Sequence, residues 1–220
     1  MTQTDTQPHL QDTAPAALAH SLLYCGTVTP LLFFGTTLLC GFILGDYNHL
    51  TRMVSELGAL GTPTQYLFTA GLVVCALLSA AFIVGLLISC RHAKLSAVPV
   101  WLLLSYSVSI GGAGIFPFPT RLHLLIGMPS VLLFLSPLAS LLLWRNTKSP
   151  SNLQVMAGLA FGFMALGFLT FFPSVLSSYI GLKQRLFHFG WCVWFTYLST
   201  AFLGMWGKGN PLRMGGGLQG

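Results

Sequence analysis

Glu56 is the single glutamate of this 220-residue chain, within Ser55-Glu56-Leu57-Gly58, and Asp46 stands ten residues before it with His49 and Arg52 between them. Two more pairs of polar side chains could join it. Arg121 and His123 follow Phe116-Pro117-Phe118-Pro119-Thr120, and Arg185 and His188 follow Gly181-Leu182-Lys183-Gln184. A carboxylate beside guanidinium groups can form a buried ion network that locks elements together. Arginine forks suit a phosphate or other anionic head group. A carboxylate or imidazole can act as a general base while an arginine stabilises developing negative charge. Ser55 could then be pictured as a nucleophile, although no GxSxG motif surrounds it. Three histidines and an acid could hold zinc, but His49, His123 and His188 show neither HExxH nor an i, i+4 pair, so no metal and no cofactor is assigned.

These residues sit in a very apolar chain. Over half of it is hydrophobic and 6% is charged, against about 25% for a soluble domain. An acid is costly near a bilayer, which draws attention to Glu56 and Asp46. About 20 apolar residues of helix cross a hydrocarbon core. Six stretches are long enough, at 21–45, 65–90, 96–117, 122–144, 153–173 and 186–207. The expected fold is all-α, one six-helix transmembrane bundle filling 21–207. Residues 1–20 read as a polar, disordered tail and 208–220 as a flexible Gly-rich tail. The first stretch is too long for a secretory signal and lacks its positive flank, so it reads as a retained helix.

The net charge of +6 is scattered singly or in pairs at helix ends, which suits topology and not nucleic acid. Six spans place both termini on one face. That face carries Arg91, Lys94, Arg145, Lys148, Lys208 and Arg213, and the other carries Arg52, Arg121, Lys183 and Arg185. Six against four favours cytoplasmic termini in a bacterial inner membrane. The loops after helices 1, 3 and 5 share the opposite face whichever way the protein inserts. Asp46, His49, Ser55, Glu56, Arg121, His123, Arg185 and His188 all lie on it and form the candidate ligand-binding set.

Local patterns refine this. Met53, Leu57 and Leu60 form an apolar helical stripe, with His49, Arg52 and Glu56 as a polar stripe beside it. A short interfacial helix would point all three polar groups the same way, while Arg52 and Glu56 alone could be a plain i, i+4 surface pair. Gly111, Gly112 and Gly114 in helix 3, and Gly158 and Gly162 in helix 5, would let neighbouring backbones approach. Pro129 and Pro137 should disturb helix 4. The five cysteines have no metal spacing and read as packing residues. No ionisable group falls mid-helix and no internal repeat is evident, which argues against a secondary transporter.

Three segments occur in series: Tyr47 to Gly58, Gly114-Ile115-Phe116-Pro117 leading to His123, and Gly181-Leu182-Lys183-Gln184-Arg185 leading to Trp191. In this order and spacing the chain resembles the bacterial and archaeal integral membrane family called domain of unknown function 998, over about residues 25–207. The resemblance implies six helices and a polar signature of Glu56, His123 and Arg185, with no established activity. A departure is the Pro117–His123 connection, where members often carry an acid after the proline. The working function is binding or shaping of membrane lipid or a small amphiphile at the extracytoplasmic face. The alternative is an enzyme acting on a lipid-linked substrate through Glu56, His123 and Arg185. A protein partner or homo-oligomer is compatible with the chain but leaves no signature in it.

Overall fold

The computed structural model describes residues 13–145 and 149–208. Most of the expected N-terminal tail, Lys148 and the Gly-rich C-terminal tail lie outside the described residues. Six helices are long and apolar enough to cross a membrane: α1 (Ala16–Leu44), α2 (Gln65–Ala93), α3 (Val98–Ile115), α4 (Arg121–Leu143), α5 (Leu153–Phe171) and α6 (Ile180–Trp206). The all-α, six-span reading therefore holds.

Its boundaries need correction at two places. The expected tail is helical from Thr13, because Ala14, Ala16, Ala17 and Ala19 are strong helix formers. Helix α6 begins at Ile180, six residues before the expected start at 186. Lys183, read from sequence as a loop charge, lies inside it at 1% exposure. Its ammonium donates to the carbonyls of Phe172 and Val175 at 3.2 and 2.8 Å. The α5–α6 loop thus replaces water around the charge, which lets the helix start early.

Helix α6 is central. Half of its apolar window is buried inside the protein, against 22% for α4, which lies mostly on the outside of the bundle. Trp191, Trp194, Phe195 and Phe202 form its buried face. In hydrocarbon, helices associate through close packing and interhelical hydrogen bonds. Trp194 donates to Ser136 of α4 at 2.9 Å, and Ser136 donates to the Pro99 carbonyl of α3 at 2.8 Å. Thr27 of α1 donates to Ser199 of α6 at 3.0 Å, and Ser79 and Ser107 join α2 to α3 at 2.7 Å.

The glycines of α3 pack as expected, with Gly114 against Leu72 and the Thr69 carbonyl of α2. Those of α5 do not: nothing approaches Gly158 or Gly162, and the close contacts fall at Gly167 against Phe187 and at Gly190 against Met164 and Ala160. The face of α5 turned to α6 is set by α6's aromatic residues, which the spacing of glycines alone does not show. In α4 the helix tightens to a 3₁₀ segment over Met128–Phe134 beside Pro129.

The loops after α1, α3 and α5 meet on one face. The Leu60 amide donates to the Phe118 carbonyl at 2.9 Å, and the Leu182 amide to the Leu50 carbonyl at 2.9 Å.

Candidate functional site

Two arrangements lie on this face, one above the other. The upper one is polar. After Gly45 the chain turns over the end of α1, and only Val54–Gly58 forms a short 3₁₀ helix. The expected stripe from His49 to Leu60 is therefore broken, and Leu60 is 55% exposed. The cause is Tyr47, whose buried hydroxyl donates to the Met53 carbonyl at 2.6 Å and approaches that of Arg52 at 3.1 Å. The Arg52 carbonyl, which also accepts from Arg185 at 2.9 Å, is lost to a continuing helix, while that of Met53 still takes the Glu56 amide at 3.1 Å.

Glu56 reaches back to the Met53 amide at 2.8 Å and takes the Arg52 Nε–H at 2.9 Å. Both oxygens are engaged locally. Its guanidinium partner is Arg52, not Arg185 or Arg121. Asp46, with its side chain 85% exposed, lies 3.7 Å from the other end of Arg52. The bond to Glu56 raises the pKa of Arg52.

Arg185 comes from α6 beneath this loop. It donates to the carbonyls of Arg52 and Gly181 at 2.9 and 3.1 Å, to the Tyr47 hydroxyl at 3.0 Å, and to His49 Nδ1 at 2.9 Å. Four of the five N–H groups an arginine carries are thus held by the chain itself. Gly181 makes this approach feasible, because a Cβ there would run into the Arg52 and His49 carbonyls. Burial, then the adjacent Arg185 charge, lowers the pKa of His49, keeping Nδ1 a lone-pair acceptor. Burial raises the pKa of Tyr47, with Arg185 opposing it. Gln184 completes the attachment, accepting the Val54 amide at 2.7 Å. The result is a clamp that ties the first loop to the start of α6.

Below the clamp is a cavity of about 210 Å³ between the helix ends. Val54 and Ser55 roof it, and aromatic side chains of α1, α2, α5 and α6 form much of its wall. Its polar lining includes His123, His188, Tyr106 and Ser109. Tyr106 and Ser109 are 2% and 5% exposed, and neither hydroxyl has a hydrogen-bond partner among the described residues. Buried polar groups almost always have one, so two orphans on side chains that line one cavity call for an explanation.

Of the eight sequence-derived site residues, Asp46, His49, Glu56 and Arg185 join the clamp. Ser55, His123 and His188 line the cavity. Arg121 is exposed at the start of α4. The ion network that a carboxylate and guanidinium groups could form does not extend to α4, where His123 Nδ1 lies 2.8 Å from the Phe116 carbonyl instead. No cluster of three or more metal-binding side chains occurs among the described residues. Sequence reading passed over Tyr106 and Ser109. The signal available was the hydroxyl-rich run Ser105-Tyr106-Ser107-Val108-Ser109 inside an apolar helix, with Tyr106 and Ser109 at i, i+3 on one face.

The six spans and the absence of any sizeable loop domain among the described residues define a multi-pass helical membrane protein. The chain belongs to the DUF998 family of proteins of unknown function, whose model matches residues 27–201. No curated protein and no solved structure matches it.

Proposed function

We propose that the protein binds a small amphiphile in the cavity beneath the first loop, at the extracytoplasmic face of the bacterial inner membrane. The observation that carries this reading is a largely apolar chamber with His123 and His188 in its wall, backed by the buried, unpartnered hydroxyls of Tyr106 and Ser109. A ligand with a polar end and an apolar body satisfies both surfaces at once. Phe171 lines the cavity and is 60% exposed, so the chamber reaches the lipid-facing surface at the α5 end. An amphiphile can enter there from the bilayer without crossing the clamp. Placement at the extracytoplasmic face rests on the excess of Lys and Arg at the other end of the bundle.

The test is mass spectrometry of amphiphile co-purifying with the protein in mild detergent. Wild type should carry a bound species in stoichiometric amount. The double variant His123→Leu/His188→Leu should fold and lose most of it. A folded double variant that retains the species at wild-type occupancy would sink the assignment to this cavity.

A further inference from the structure

The two cavity histidines carry opposite hydrogen-bonding roles, and this points to the chemistry of the ligand's polar end. His123 Nδ1 lies 2.8 Å from the Phe116 carbonyl. A carbonyl only accepts, so Nδ1 bears the proton and the neutral ring offers Nε2 as an acceptor. His188 Nδ1 receives the Trp191 indole N–H at 3.0 Å. An indole N–H only donates, so this Nδ1 is bare and the proton lies on Nε2. Neither Nε2 has a protein partner among the described residues, and both rings line the cavity. The chamber thus sets one acceptor nitrogen and one donor nitrogen among the polar side chains of Ser55, Ser130, Thr170 and Gln184. No Asp, Glu, Lys or Arg lines it.

We propose that the cavity selects an uncharged, hydroxyl-bearing head group, donating its proton toward His123 Nε2 and accepting from His188 Nε2–H. This deepens the amphiphile-binding reading above and rests on it. An anionic carboxylate or phosphate meets no cation there, since the Arg185 fork is held by the clamp, and its desolvation is uncompensated. A ligand with only acceptors, such as an ether, ester or quinone, leaves His123 Nε2 buried and unmatched. An alcohol satisfies both rings. The volume accommodates roughly seven water-sized groups, at about 30 Å³ each. That is enough for a head and the first carbons, with the remaining chain passing out beside Phe171.

Chain-matched probes test this on the unaltered protein in detergent by isothermal titration: 1-decanol, decyl methyl ether, decanoate at pH 8 and 1-monodecanoylglycerol. Decanol should bind about tenfold more tightly than the ether and more tightly still than decanoate. Tighter binding of the glycerol ester than of decanol would assign the head to a glycerolipid, and the reverse to a long-chain alcohol. Either order supports a hydroxyl-bearing head. Replacing the acceptor in His123→Leu should bring decanol and the ether to equal affinity. His188→Leu should weaken both, because both use its donor. Equal affinity of all three decyl head groups for the wild-type protein, or preference for decanoate, overturns the head-group assignment while leaving amphiphile binding intact. Failure of every probe to bind overturns both.

Discussion

The clamp and the cavity are built from neighbouring stretches of chain but follow opposite rules of hydrogen bonding. In the clamp every strong group is answered. Glu56 has Arg52 and the Met53 amide, and Arg185 has two carbonyls, Tyr47 and His49. At the cavity the buried hydroxyls of Tyr106 and Ser109 have no partner among the described residues. A satisfied buried network rigidifies, whereas an unsatisfied one costs stability until something fills it. The contrast separates what holds the face together from what the face is for. It also reassigns Glu56, the most conspicuous residue in the sequence, to the supporting part.

The sharpest way to break this division is Arg185→Ala. It strips the loop's carbonyls, Tyr47 and His49 of one shared donor, and should cost about 3 kcal/mol, read as a large drop in thermal midpoint in detergent. Lysine should not restore it, since an ammonium cannot reproduce the fork. A variant as stable as wild type would mean that the clamp is not what fixes the loop.

Next in size, and opposite in sign, is Tyr106→Phe. Removing an unsatisfied buried hydroxyl should stabilise the delipidated protein by about 1 kcal/mol. A fall in stability of the delipidated protein would show instead that the hydroxyl has a structural partner. Glu56→Gln should matter less. Its Arg52 pair is i, i+4 and partly solvated, and a glutamine can still accept the Met53 amide, so the loss should be about 0.5 kcal/mol with binding unchanged. Loss of binding with an intact melting curve would move Glu56 back into the functional part.

The smallest effect is a pH dependence of the clamp. The folded state holds His49 below its ordinary pKa of 6.5, so its contribution is complete above about that pH and is lost as pH falls through the lowered value. Amide hydrogen exchange over residues 47–58, corrected for intrinsic rates, should quicken at pH 5 relative to pH 7.5. His49→Gln should abolish the difference.

Much of the architecture was legible in advance because membrane-spanning helices announce themselves by length and apolarity. The number of spans and the meeting of three loops on one face follow from that alone. The start of α6 was not legible. A lysine ordinarily marks a helix end near water, and only the wrapped α5–α6 loop could bury Lys183. A short helix in the first loop was legible, but its confinement to Val54–Gly58 was not, since the Tyr47 hydroxyl and Arg185 take the Arg52 carbonyl that a longer helix would use.

The sequence by itself thus determined the bundle and gathered Glu56, His123 and Arg185 on one face, because the bilayer allows few ways to thread so apolar a chain. Only the tertiary structure decided that they divide between two tasks. Whether an arginine fork meets a ligand or the backbone depends on which carbonyls lie within about 3 Å, the reach of a hydrogen bond. Whether a tyrosine or serine in an apolar helix is paired depends on what the neighbouring helices present to it. Those distances are set by side-chain packing among six helices, and composition and spacing do not encode them locally.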